Sequence, residues 1–194
     1  MNQVTRRIPI VATIVVLAAV ATMIALGVWQ LQRKEWKEDL LVRYEGAAMS
    51  SAEVAWPTSE PAIENALYHR SRFDCAQVTG HQERSGQSAG GEPGWAHLVT
   101  CRNASGRVAE IALGWSDRPD IVQWSGGAVT GMIGPTTGGA KLVADPPQAG
   151  LQPLARPDPR DIPNNHFAYA IQWFLFAATA LVIYALALRK RWRG

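Results

Sequence analysis

Four histidines, two cysteines and a scatter of carboxylates are the groups through which this 194-residue chain could do chemistry. His69, His81, His97 and His166 contain no pair at a metal-ligand spacing. Cys75 and Cys101 form neither a C-x-x-C redox pair nor a C-x-x-C-H haem attachment. There is no G-x-S-x-G elbow, no phosphate-binding loop and no H-E-x-x-H helix. The middle of the chain carries carboxylates, but nothing nominates an acid/base pair among them. The residue types therefore point to binding rather than to catalysis.

Two clusters are more informative. The first is Gly27-Val28-Trp29-Gln30-Leu31-Gln32-Arg33, with Lys37 one turn further on. On a helix, Trp29, Arg33 and Lys37 recur every four residues and share a face with Gln30. Like charges at i and i+4 repel, so an external anion between Arg33 and Lys37 relieves both. A lipid phosphate, a propionate and a partner's carboxylate are all candidates. The second cluster is Asn164-Asn165-His166-Phe167-Ala168-Tyr169-Ala170-Ile171-Gln172-Trp173. An asparagine is a natural N-cap, which puts His166 in the first turn of a helix with Tyr169, Ala170 and Trp173 on its face. An imidazole among flat aromatics, beside a small alanine, suits an axial ligand of a porphyrin. The same residues also suit an interfacial aromatic belt with no ligand.

Both clusters stand at the ends of uncharged stretches, Ile8–Trp29 and Phe167–Leu188. As helices of about 1.5 Å rise per residue, each reaches across the ~30 Å hydrocarbon core of a bilayer. Ile8–Trp29 exceeds the apolar length of a signal peptide and ends without a small-x-small cleavage site, so it reads as an uncleaved anchor. Arg6-Arg7 resembles a twin-arginine start, but Ile8-Pro9 does not continue it. No presequence precedes residue 8, which favours a bacterial source. The outer flanks, Arg6-Arg7 and Arg189, Lys190, Arg191 and Arg193, carry cations without acids. By the positive-inside rule both tails are cytoplasmic and the middle lies outside. A net charge of +3 with no basic stripe gives no support to nucleic-acid binding.

Between the spans, Gln30–Glu45 reads as a continuing helix, and Pro57 and Pro61 break the chain. Short strands are expected at Tyr68–Val78, Ala96–Cys101, Val108–Trp115, Val129–Ile133 and Lys141–Val143. Turn-rich pieces at Ser85–Gly94, Asn103–Gly106, Ser125–Gly127 and Gly134–Gly139 separate them. The stretch Pro135–Pro163 holds seven of the twelve prolines. It reads as an extended linker returning to the membrane, running free or along the sheet. Cys75 and Cys101, 26 residues apart in strand-like segments outside the cytoplasm, can bridge paired strands or remain two buried thiols. The expected architecture is membrane-anchored α+β, with two terminal transmembrane helices flanking a small, mainly antiparallel sheet or open barrel. The segments are a tail 1–7, a span 8–29, a periplasmic domain 30–165, a span 166–188 and a basic tail 189–194.

These residues resemble the Surfeit locus protein 1 family of cytochrome c oxidase assembly factors over nearly the whole chain. Gly27-x-Trp29-Gln30-x-x-Arg33 with Lys37 is similar to the motif ending that family's first span. Tyr68-x-Arg70 through Val78-Thr79-Gly80 is similar to its first strand block, and Asn164-Asn165-His166-x-x-Tyr169-Ala170-x-x-Trp173-Phe174 to its signature at the second span. One departure stands out: the family has Arg-Gly-Trp where this chain reads Leu113-Gly114-Trp115. The resemblance implies a non-enzymatic role in building the haem a-containing subunit I of the oxidase in the bacterial inner membrane, by binding haem a or assisting its insertion. It implies His166 as the haem-iron ligand, with Trp29, Gln30, Arg33, Lys37, Tyr169 and Trp173 around the haem. Oxidase subunits, other assembly factors, the haem a synthesis enzymes and the lipid bilayer are the implied partners. The competing class is a structural or regulatory protein of the polysaccharide chain-length regulator type, which has the same anchors but long external helices and no haem.

Overall fold

Helix α1 (Ile10–Met49) starts directly after Pro9 and runs for 40 residues without a proline. This is a computed structural model, and it describes residues 9–193; Arg6, Arg7 and the 1–7 tail lie outside the described residues. At 1.5 Å per residue α1 is about 60 Å long, roughly twice a bilayer's hydrocarbon core. The helix expected over Gln30–Glu45 is thus the second half of the first span's own helix, and it ends four residues later. The second long helix, α3, is His166–Arg191.

Both helices are long and apolar enough to cross a membrane. Only 11% of the apolar window of α1 and 6% of that of α3 is buried. The core helix of a water-soluble domain would be mostly covered, so the chain is membrane-anchored. The two helices run antiparallel. The Thr13 and Tyr184 hydroxyls are hydrogen-bonded to each other, Gly27 lies against Phe174, and Gln30 meets His166. A Cβ at Gly27 would stand 2.6 Å from the Phe174 ring, so glycine is what lets the helices approach this closely.

Two compact units divide the chain, one of residues 1–40 with 163–194 and the other Leu41–Ile162. The division falls inside α1, because its last turns bury Tyr44 and Ala47 within the second unit. Tyr44 stacks there on Tyr68, ring centroids 4.9 Å apart. After α1 come β1 (Glu53–Val54) and a short helix α2 (Glu60–Ala66), neither legible in the sequence. Pro61 stands in the first turn of α2, where its missing N–H leaves no hydrogen bond unmade.

Six further strands follow: β2 (Arg70–Cys75), β3 (Gln77–Gln87), β4 (Pro93–Arg102), β5 (Val108–Ser116), β6 (Gly127–Thr136) and β7 (Gly139–Ala144). Their order across the sheet is β1-β2-β6-β7-β5-β4-β3. Four pairs are antiparallel, while β1–β2 and β5–β7 are parallel, so the sheet is mixed. It also curls. Cys75 on the second strand and Cys101 on the sixth have Cα atoms 5.6 Å apart. In a flat sheet four strand spacings would hold them about 19 Å apart.

The expected strand Tyr68–Val78 is in fact two. Tyr68 is buried at a φ of +65°, outside any strand, and the chain turns at Ala76, whose N–H donates to the Arg102 carbonyl. The expected turn Ser85–Gly94 shrinks to the tip between Gln87 and Pro93, because β3 and β4 pair along nearly their whole length. Of the Pro135–Pro163 segment, the course along the sheet holds, but its start is not linker. Its first residues finish β6 and form β7, and the remainder packs along the sheet through bridges from Gln152 to Trp115 and from Leu154 to Ser88. The proline-rich piece thereby covers the face bearing Ala96, Leu98, Ala112, Trp115 and Val143, while Phe73, Val99, Ile111, Val129, Ile133 and Leu142 fill the main core. A Cβ at Gly131 would overlap the Val143 carbonyl, so β6 passes β7 only as glycine.

Candidate functional site

His166 is the first residue of α3. The asparagine before it does not cap as expected: Asn165 has φ −89° and ψ 6°, and its side chain makes no cap hydrogen bond. Its carbonyl instead accepts the Tyr169 N–H. The neighbouring Asn164 Oδ1 is buried without a partner.

The geometry joins the two sequence clusters. His166 Nδ1 lies 2.8 Å from Gln30 Oε1 on α1. An amide oxygen only accepts, so this contact suits the tautomer in which Nδ1–H donates and Nε2 keeps its lone pair. Nε2 makes no hydrogen bond among the described residues, and the histidine is half-buried. Gln30 is one turn beyond Gly27, and the close approach at Gly27 brings its amide within reach. Ala170 and Ala177 of α3 are buried, as is Val20 of α1. Ala170 therefore lines the helix pair; it does not leave room for a flat ring, as the spacing had suggested.

Around this pair, Trp29 and Tyr169 are exposed and Trp173 is half-buried, its ring edge-on to Phe176 at 6.1 Å. Arg33 has aromatic neighbours on its own helix. Its guanidinium stacks between two indoles, 5.6 Å from Trp29 and 5.3 Å from Trp36. Trp36 escaped the sequence reading, although it stands at i+3 from Arg33, a spacing that brings side chains together on a helix. Neither Arg33 nor Lys37 is in a salt bridge among the described residues, whereas Lys34 pairs with Glu38 at 2.8 Å. Two cations remain free to meet an anion.

The other histidines belong to the second unit. His97 is buried with Nε2 2.7 Å from the Ser116 hydroxyl, and His81 is exposed on β3. His69 Nδ1 is buried with no partner. No group of three His, Cys, Asp or Glu side chains converges among the described residues. Cys75 and Cys101 are joined as a disulfide and buried. Leu113, at the point of departure from the resemblance noted above, is 1% exposed and packs in the main core.

A haem would find a compatible donor set in this helix pair: one imidazole, its second nitrogen held by an amide oxygen, with aromatic surfaces and unpaired cations nearby. Fold and site define a membrane-anchored protein whose paired helices orient a single imidazole and whose loop between them is a curled sheet. A family model, the SURF1 family, matches residues 17–178, from the first helix through both halves of the His166 pair. The chain belongs to the SURF1 family, a family of oxidase assembly factors. No curated protein matches the chain.

Proposed function

We propose that this protein assists assembly of a haem–copper cytochrome c oxidase by holding haem a, stably or in transit, for insertion into subunit I. The observation that carries this reading is the Gln30–His166 hydrogen bond, which frees Nε2 to serve as an iron ligand. Bound haem a supplies a redox-active iron. In this reading Nε2 of His166 would hold the iron, Arg33 and Lys37 would meet the propionates, and the rings of Trp29, Tyr169 and Trp173 would line the apolar ring. Haem a synthesis enzymes are the donors in this scheme and oxidase subunit I is the acceptor.

The protein sits in the bacterial cytoplasmic membrane with both tails inside and the β unit in the periplasm. The acid-free Arg189, Lys190, Arg191 and Arg193 at the end of α3 support this orientation. A chain-length regulator gains no support, since the unit between the spans is built on a seven-stranded sheet.

The test is genetic and spectroscopic. Deleting the gene should lower the haem a content of purified subunit I, and the wild-type gene should restore it while His166→Ala should not. Full haem a occupancy of the oxidase in the deletion strain would refute the role.

A further inference from the structure

We infer that Gln30 is a positioning residue: it fixes the tautomer of His166 and so selects Nε2 as the nitrogen presented to iron. This rests on the haem-holding role proposed above and deepens it, because the family resemblance had placed Gln30 among residues around the haem rather than behind its ligand. Gln30 Oε1 lies 2.8 Å from Nδ1. That contact occupies one imidazole nitrogen, so one residue cannot both accept Nδ1–H through this oxygen and leave Nδ1 free to ligate.

The placement is built by the helix pair. Gly27, one turn earlier, lets Phe174 pack against the α1 backbone, and buried Ala170 on α3 keeps the helices close. Gln30 and His166 are 136 residues apart in the chain, yet each is fixed to a rigid helix at the same level of the pair. An acceptor behind a ligating imidazole raises its basicity and fixes its ring plane, and losing such a partner lowers metal affinity by about 10–100-fold. In water an unconstrained neutral imidazole favours the Nε2–H tautomer, which would hide the nitrogen that iron needs.

The first measurement needs no haem. The full-length protein, labelled with ¹⁵N-histidine in detergent and held at pH 8.5, should give ring ¹⁵N shifts of an Nδ1–H tautomer for His166. Gln30→Leu should move them toward Nε2–H, and Gln30→Glu, which keeps the acceptor, should not. A wild-type Nε2–H signal overturns the inference, and so does an unchanged tautomer in Gln30→Leu. The wild-type spectrum decides even where the leucine variant fails to insert.

The second measurement uses protein co-expressed with the haem a synthesis enzymes. Gln30→Leu should weaken haem retention by about 10–100-fold. Gln30→Glu should retain haem and lower its midpoint potential, because the carboxylate pulls the imidazole toward imidazolate. Equal retention in Gln30→Leu and wild type counts against Gln30 alone. Haem retained by His166→Ala with the predicted tautomer intact in wild type counts against the haem role alone.

Discussion

Arg33 illustrates what a residue's spacing reveals and what it conceals. The four-residue recurrence of Trp29, Arg33 and Lys37 correctly puts three side chains on one helical face. It cannot choose the neighbour that Arg33 takes, and the structure gives the guanidinium to Trp29 and Trp36. A planar cation stacks where an ammonium does not. Arg33→Lys should therefore raise the exposure of Trp36, read as faster quenching of indole fluorescence by acrylamide in a protein whose other outer tryptophans are replaced by Phe. Unchanged quenching would remove the stacking from the account. Cys75 and Cys101 are the second residue-scale case. Two cysteines in strand-like segments made a bridge conceivable, but only the curl of the sheet brings them within 5.6 Å. Alkylation of denatured, unreduced protein should find no free thiol, and two labelled thiols would refute the bridge. The double substitution to serine should cost about 2–4 kcal/mol of unfolding free energy.

Helices and strands were legible to different degrees, for physical reasons. The long helices announce themselves by length and lack of charge, and β5 falls within one residue of expectation because its apolar run is buried on both faces of the sheet. The break at Ala76 is not readable, because a continuous β-prone run looks the same whether it stays in one sheet position or passes to the far edge of the sheet. The proline-rich segment left two courses open in the sequence, free or along the sheet, because proline removes ladder donors but does not prevent a segment from packing over a sheet. Gly27 gives an element-scale prediction. Gly27→Val forces the helices apart, so oxidative crosslinking of a Thr13→Cys, Tyr184→Cys pair should fall sharply in its presence; undiminished crosslinking would contradict the packing.

Lys141 gives another. It lies in register beside Glu110 on the parallel β5–β7 pair, and Glu110 also receives Arg84 at 3.3 Å. Burial pushes its amine below the ordinary 10.5, Glu110 opposes that and Arg84 adds to it. A lysine with a depressed folded-state pKa binds fewer protons folded than unfolded. Its cost to stability is fully present below the depressed pKa and disappears as pH rises to about 10.5. Lys141→Met should thus stabilise the protein at pH 7, with the advantage shrinking toward pH 10.5 in thermal unfolding curves. An advantage that grows with pH would contradict the sign.

At the scale of the whole molecule, the two apolar helices at the ends follow from uncharged stretches and the sheet between them from short strand-like runs punctuated by turns, and the match to the SURF1 family over residues 17–178 agrees. What no spacing could give is the meeting of Gln30 and His166, because the two motifs sit at opposite ends of the sequence and only antiparallel helix packing joins them. The proposed topology makes the β3–β4 tip, at Gly91 with φ +84°, a permissive insertion point outside the membrane. Alkaline phosphatase inserted there should be active, and fused after Gly194 it should be inactive; an active C-terminal fusion would invert the orientation.

The central claim is that the helix pair presents His166 to haem iron. The most direct measurement is the optical spectrum of the detergent-purified, full-length protein after co-expression with the haem a synthesis enzymes. Wild type and His81→Ala should carry haem a with the same Soret position, because His81 is exposed on β3 in the other unit. His166→Ala should lose most of the haem, and what remains should show a shifted Soret band. If His166→Ala keeps the wild-type haem content and Soret position, His166 is an interfacial residue and the claim is wrong.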